Sequence, residues 1–209
     1  MQDHLLTFLL AVLLLELTPG PNMAYLATLT LTHGRAAGLI ATSGVAVGLA
    51  VHALVVGLGA GVLIQEYPLI YQGLRWIGVG YLLFLALEGY RTVRETSPGR
   101  ADLATMAGAL FLRGLFSNVF NPKSILFFVS VLPTFVSTGP SSAPPLSNQM
   151  ATFGILYVGI ATAMHGTIVT LAAELRPWLI EGRRQLIVRR VLSVALALVA
   201  VWLAWTTAR

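Results

Sequence analysis

Thr18-Pro19-Gly20-Pro21-Asn22 stands near the middle of one apolar run long enough to cross a bilayer, and Asn121-Pro122-Lys123 stands near the middle of another. Proline inside a helix removes a hydrogen bond and costs about 3 kcal/mol. Backbone opened at membrane depth persists only where it is packed in protein or lines a cavity. Two such breaks, one in each half of the chain, predict a central transport site.

The composition around them is that of a membrane protein. Hydrophobic residues make up 56% of the chain and charged residues 10%, with a mean hydropathy of +0.81, where a soluble domain carries about 25% charged residues. The net charge of +5 comes from 12 arginines and one lysine against eight acids. The arginines lie in connections between apolar runs and form no single stripe, so they read as orienting charges at a lipid surface, and no nucleic-acid partner is expected. Without cysteine there is no disulfide, thiolate metal site or thiol relay. The N-terminal Met1-Gln2-Asp3-His4 lacks a basic flank, and its apolar run reads as a retained span.

Apolar runs of about 20 residues suffice for a crossing at 1.5 Å per residue. They place spans near residues 5–31, 37–64, 69–88, 109–132, 150–173 and 187–206. The expected fold is therefore an all-α membrane protein of six transmembrane helices, in one transmembrane domain over 1–209. Helices 1 and 4 are broken at their Pro motifs. Three spans per half is an odd number, so the halves, about 1–90 and 105–209, enter the membrane in opposite senses as inverted repeats. Val47-Gly48-Leu49-Ala50 before His52 weakly echoes Val158-Gly159-Ile160-Ala161 before His165 once an insertion is allowed.

Loops one, three and five, with their flanking turns, hold Arg35, Arg91, Arg94, Arg100, Arg113, Arg176, Arg183, Arg184, Arg189 and Arg190. The other side has Arg209 and, if it snorkels outward, Arg75. The positive-inside rule then puts those loops in the cytoplasm and both termini outside. Gly34, Gly38, Gly44, Gly48, Gly57 and Gly61 give span two a close-packing face, and Gly73, Gly78 and Gly80 do the same for span three. Ser137 to Gln149, with Pro144-Pro145, reads as an outer loop.

Proline is best tolerated at the first helical position behind a Gly or polar cap. Gly20-Pro21 and Asn121-Pro122 therefore read as fresh helix starts, exposing N–H groups and the positive dipole end at mid-membrane, where a substrate carboxylate is favoured. Lys123, second in its half-helix, adds a cation at a place already favouring an anion. Glu16, in the last turn before the first break, meets unsatisfied carbonyls and the negative dipole end, so it calls for a proton or a cation. Glu16 and Lys123 could clamp the halves together as a permanent pair. Alternatively a zwitterion competes with that pair, its carboxylate at the helix starts beside Lys123 and its ammonium beside Glu16. The expected substrate-binding set is Pro19, Gly20, Pro21, Asn22, Asn121, Pro122, Lys123 and Glu16.

His52 and His165, near the centres of spans two and five, are bundle histidines by default and proton carriers with Glu16 in the functional reading. Glu16 with both histidines would be a hard-ligand metal site, but no ligand spacing supports one, and neither metal nor cofactor is expected. Glu88 should pair with Arg91 or Arg94. No G-x-x-x-x-G-K-[ST], H-E-x-x-H or G-x-S-x-G sequence occurs, which leaves ATP hydrolysis and intramembrane enzymology without their motifs. A purely structural subunit would not need two mid-membrane breaks.

Pro19-Gly20-Pro21-Asn22, His33-Gly34-Arg35-Ala36-Ala37-Gly38-Leu39, and Asn121-Pro122-Lys123 followed by Leu126-Phe127-Phe128 and Leu132-Pro133-Thr134-Phe135-Val136 occur in this order. Together they resemble the lysine exporter family, including its homoserine/threonine exporter branch, over essentially the whole chain. The resemblance implies an inner-membrane secondary exporter of amino acids or related small zwitterions, driven by an ion gradient, with protons the expected ion. It leaves room for another small solute or a metal ion as cargo, and for a homo-oligomer. The thiol-electron carriers of the same broad superfamily do not suit a chain without cysteine.

Overall fold

The structure is a computed structural model that describes residues 2–18, 20–59, 67–91, 100–136, 145–179 and 184–206. Pro19, Gly61, Arg94, Arg183, Arg209 and the Ser137 to Pro144 part of the expected outer loop lie outside the described residues. Those described form helices, with no strand among them: α1 (Gln2–Leu17), α2 (Pro21–His33), α3 (Arg35–Gly57), α4 (Pro68–Arg91), α5 (Arg100–Val119), α6 (Pro122–Leu126), α7 (Leu146–Leu179) and α8 (Arg184–Thr206).

Both Pro motifs start helices. Gly20 caps α2 in extended conformation (φ −145°, ψ 174°) with Pro21 at the first position, and the Ala24 N–H donates to its carbonyl at 3.0 Å. Asn121 caps α6, its side chain accepting from the Lys123 N–H at 3.0 Å. The chain bends by 52° between α1 and α2, and by 47° between α5 and the segment Pro122–Phe135. That second segment passes from α6 through a π turn, Phe127–Val131, into a 3-10 turn, Leu132–Phe135. Pro133 has no N–H to continue an α ladder, which accounts for the change of pitch there.

Helices α3 and α7 are each long and apolar enough to cross a membrane, and the two bent pairs bring the number of such spans to as many as four. Helix α4 has 24 residues, but Gln72, Arg75, Glu88 and Arg91 dilute its apolar character. In α8 the apolar part is Arg190–Trp202. Large apolar side chains such as Leu14, Leu54, Trp76, Leu112, Ile155 and Leu198 point outward, while Glu16, Asn22, Arg75, Asn118 and His165 are buried. Apolar outside and polar inside is the pattern of a protein solvated by lipid.

Several boundaries differ from the sequence reading. Helix α3 ends at Gly57, and Gly59 follows at φ 91°, so span two does not continue as one helix to residue 64. Helix α5 begins at Arg100 and α7 runs past Glu174 and Pro177 to Leu179. Hydropathy marks where a helix leaves apolar surroundings, whereas the backbone ladder continues beyond that point. Arg113 consequently stands well inside α5, and Leu146 to Gln149 of the expected outer loop is helical.

Helix α3 packs along α5 and α7, α4 along α8, and α2 against α3, α7 and α8. Glycine sets the tightest seam. A side chain on Gly44 would overlap the Phe111 carbonyl, one on Gly114 the Ala41 carbonyl, and one on Gly78 the Phe120 carbonyl. Gly38 and Gly48 are similarly hemmed by Val169 and Asn118. Gly57, Gly73 and Gly80 face open space, so the expected packing role does not hold for them; Gly34 instead takes φ 91° at the α2–α3 turn.

Cross-ties fix the ends. Arg75 is buried, donates to Gln72 and to the Ala204 carbonyl in the last turn of α8, and lies over the Trp76 ring. The negative end of that helix supplies the partner its charge needs. Arg176 likewise donates to Leu31 O, at the end of α2, at 3.1 Å. Glu88 reaches Arg113 across to α5 at 2.8 Å, a partner missed by looking one turn along its own helix.

Candidate functional site

The two breaks converge on one small cavity. The first contributes Glu16, Gly20, Asn22 and Met23, and the second contributes Asn121, Lys123 and Ser124. Leu49 of α3 and His165 of α7 complete its wall. Its volume is about 10 Å³, room for roughly one water molecule.

Lys123 crosses from the second break to the first. Its ammonium donates to Thr18 O at 2.9 Å, one of the carbonyls left over where α1 stops. A cation at the negative end of a helix is favourable. Glu16 turns the other way, into α7: its Oε1 accepts from the Tyr157 hydroxyl at 2.9 Å and its Oε2 lies 3.7 Å from His165 Nε2. Tyr157 and His165 stand two turns apart on one face of α7, and all three side chains are buried. Among the described residues Glu16 and Lys123 make no ion pair with each other, although both line the cavity.

Around these charges lies a buried polar girdle. Ser117 donates to Asn22 Oδ1 at 3.1 Å, joining α5 to α2, and Asn118 donates to Ser124 Oγ at 3.2 Å across the second break. His52 is placed apart from Glu16: its Nε2 is 3.1 Å from Val119 O, the last residue of α5, and its ring lies 5.8 Å from that of Phe128. The structure thus brings together Gly20, Asn22, Asn121, Lys123, Glu16 and His165, while His52 sits behind the second break. No group of three His, Asp or Glu among the described residues could hold a metal ion.

Aromatic rings pack around Tyr157, the partner of Glu16. Tyr157 stacks on Phe127 at 4.0 Å and meets Phe128 edge-on at 5.0 Å, and Phe8 of α1 contacts Phe153 at 4.6 Å and Phe135 at 5.2 Å. Tyr157, Ser117, Asn118 and Ser124 were not singled out by the sequence. Tyr157 is separated from Glu16 by most of the chain, and only the docking of α7 on α1 joins them. The one available signal was its place two turns before His165.

The family model described as LysE type translocator matches residues 13–207. The homoserine/homoserine lactone efflux protein of Salmonella typhimurium is 32% identical over 189 residues, covering 86% of this chain and 84% of that protein. The leucine efflux protein of Salmonella choleraesuis is 35% identical over 133 residues, 62% of each chain. An uncharacterized membrane protein of Vibrio cholerae is 29% identical over 170 residues, 81% of each. No solved structure matches significantly.

Proposed function

The chain belongs to the LysE type translocator family, and from that premise we propose that it exports small zwitterionic amino acids across the bacterial inner membrane by secondary transport. Relatives named as efflux proteins make it a membrane transporter and not an enzyme. One observation carries the substrate reading: two helix breaks share one cavity, with a lysine from one and a glutamate from the other in its wall. A substrate carboxylate at Lys123 and the starts of α2 and α6, with its ammonium at Glu16, uses both charges. Each must first leave its present partner, Thr18 O for Lys123 and Tyr157 with His165 for Glu16, so binding and opening are coupled.

The same proposal takes the chain as six spans in two inverted repeats: α1–α2, α3 and α4, then α5–α6, α7 and α8. Support comes from a break in the first span of each half and from the packing of α3 on α7 and α4 on α8. Loops one, three and five are taken as cytoplasmic, with both termini outside. Arg176 meeting Leu31 O and Arg190 lying over Tyr90 at 5.5 Å join ends assigned to that one side. Coupling is assigned to protons, with Glu16 and His165 as the first carriers and His52 as the next.

Radiolabelled counterflow in proteoliposomes tests the proposal, with homoserine and leucine as the first substrates. Saturable exchange is expected. No exchange of any amino acid, with folded protein present, would refute it.

A further inference from the structure

The cavity wall divides by chemistry. Its charged side chains are Glu16, Lys123 and the ionisable His165, its neutral polar ones come from the two breaks, and its apolar ones are Met23 and Leu49. Met23 is the third residue of α2, directly after the first break, and Leu49 is buried on α3. Leu49 is held by its neighbour Gly48, against which Asn118 packs so closely that an added side chain would collide.

On the reading that a zwitterion spends both charges at Lys123 and Glu16, no further fixed charge lines the cavity for a third ionised group. We propose that Met23 and Leu49 form the wall that takes the substrate's side chain, and that the site therefore selects amino acids with uncharged side chains and gauges their size. The unbranched Met23 adapts to what it meets. Leu49, locked between helices, sets the limit. An unpaired charge at mid-membrane is penalised heavily enough that lysine is exchanged about 100-fold less well than leucine. Room for an extra methylene or two in an apolar pocket shifts preference by about 10-fold or more.

The test is counterflow by the full chain in proteoliposomes with alanine, leucine, phenylalanine and lysine, read as ratios of rates within one preparation so that the amount of folded protein cancels. Leu49→Ala should raise the phenylalanine-to-alanine ratio about 10-fold. Leu49→Val and Met23→Ala should raise it less, and Leu112→Ala, on the outward face of α5, should leave it unchanged. The proposal is overturned if none of the Leu49 and Met23 variants moves the ratio, or if the unsubstituted chain exchanges lysine as well as leucine. Exchange of none of the four by the unsubstituted chain would remove the zwitterion reading and this one with it. Exchange with fixed ratios would remove this one alone.

Discussion

Replacing Lys123 with Met separates the two roles that its position allows. The ammonium makes a 2.9 Å bond to Thr18 O, and methionine keeps most of the stem while removing the donor and the charge. A hydrogen bond to a charged group contributes about 1.5–3 kcal/mol. The folded protein loses that bond, but on the proposed placement it is also relieved of a charge whose burial at mid-membrane would cost up to about 2.5–3.5 kcal/mol. The two nearly offset, so the variant should remain folded in the membrane. A substrate carboxylate has no such offset: without the ammonium its binding weakens by about 10- to 150-fold. Counterflow at several substrate concentrations, beside thermal unfolding in detergent followed by tryptophan fluorescence, reads both. Near-normal exchange by Lys123→Met would refute the assignment. Loss of the protein itself would show that the tie to Thr18 is what the lysine is for.

Glu16→Gln should abolish accumulation driven by an imposed pH gradient and also weaken exchange, because the same carboxylate is assigned the substrate ammonium; unchanged uphill transport would rule Glu16 out as the coupling group. Tyr157→Phe keeps the stack on Phe127 and removes the bond to Glu16, so thermal stability should fall by about 1.5–3 kcal/mol, and an unaltered melting temperature would contradict the bond. Gly44→Ala should destabilise by about 1–3 kcal/mol because its methyl meets the Phe111 carbonyl, whereas Gly80→Ala, with open space around it, should be neutral or slightly stabilising, as melting of the purified variants would show. A C-terminal reporter active only in the cytoplasm would overturn the assigned orientation.

What could be read from the sequence was what local chemistry decides. Inside an apolar run of helical length, a proline behind Gly20 or Asn121 is best placed at a helix start, and the structure has helices starting at both. Lys123 and Glu16 stood out because a charge beside a helix break needs a partner wherever it lies. Which partner it finds depends on how helices dock, and there the reading stopped: Thr18 O, Tyr157 and the Ser117–Asn22 tie are all contacts between distant segments. Glu88 shows the same limit, since a search one turn along its helix could not find Arg113. Glycine spacing predicted close packing at Gly38, Gly44, Gly48 and Gly78 and misjudged Gly57, Gly73 and Gly80, because periodicity fixes a helical face but not what lies opposite it. Helix ends did not coincide with the ends of the apolar runs, α5 and α7 reaching beyond them and α3 stopping short, because hydropathy reports solvent, not hydrogen bonding.

The smallness of the cavity has a thermodynamic consequence. Sites for small molecules commonly enclose about 300–1,000 Å³, against about 10 Å³ here, so if the proposed site is the substrate's, it is occupied only in an opened form of the protein. Its apparent dissociation constant is then the intrinsic one divided by the fraction of molecules opened. On that reading the bonds of Lys123 to Thr18 O and of Tyr157 to Glu16, which the substrate has to displace, act as a tax on affinity. Removing the Tyr157 hydroxyl, which leaves both charges in place, should then tighten apparent binding.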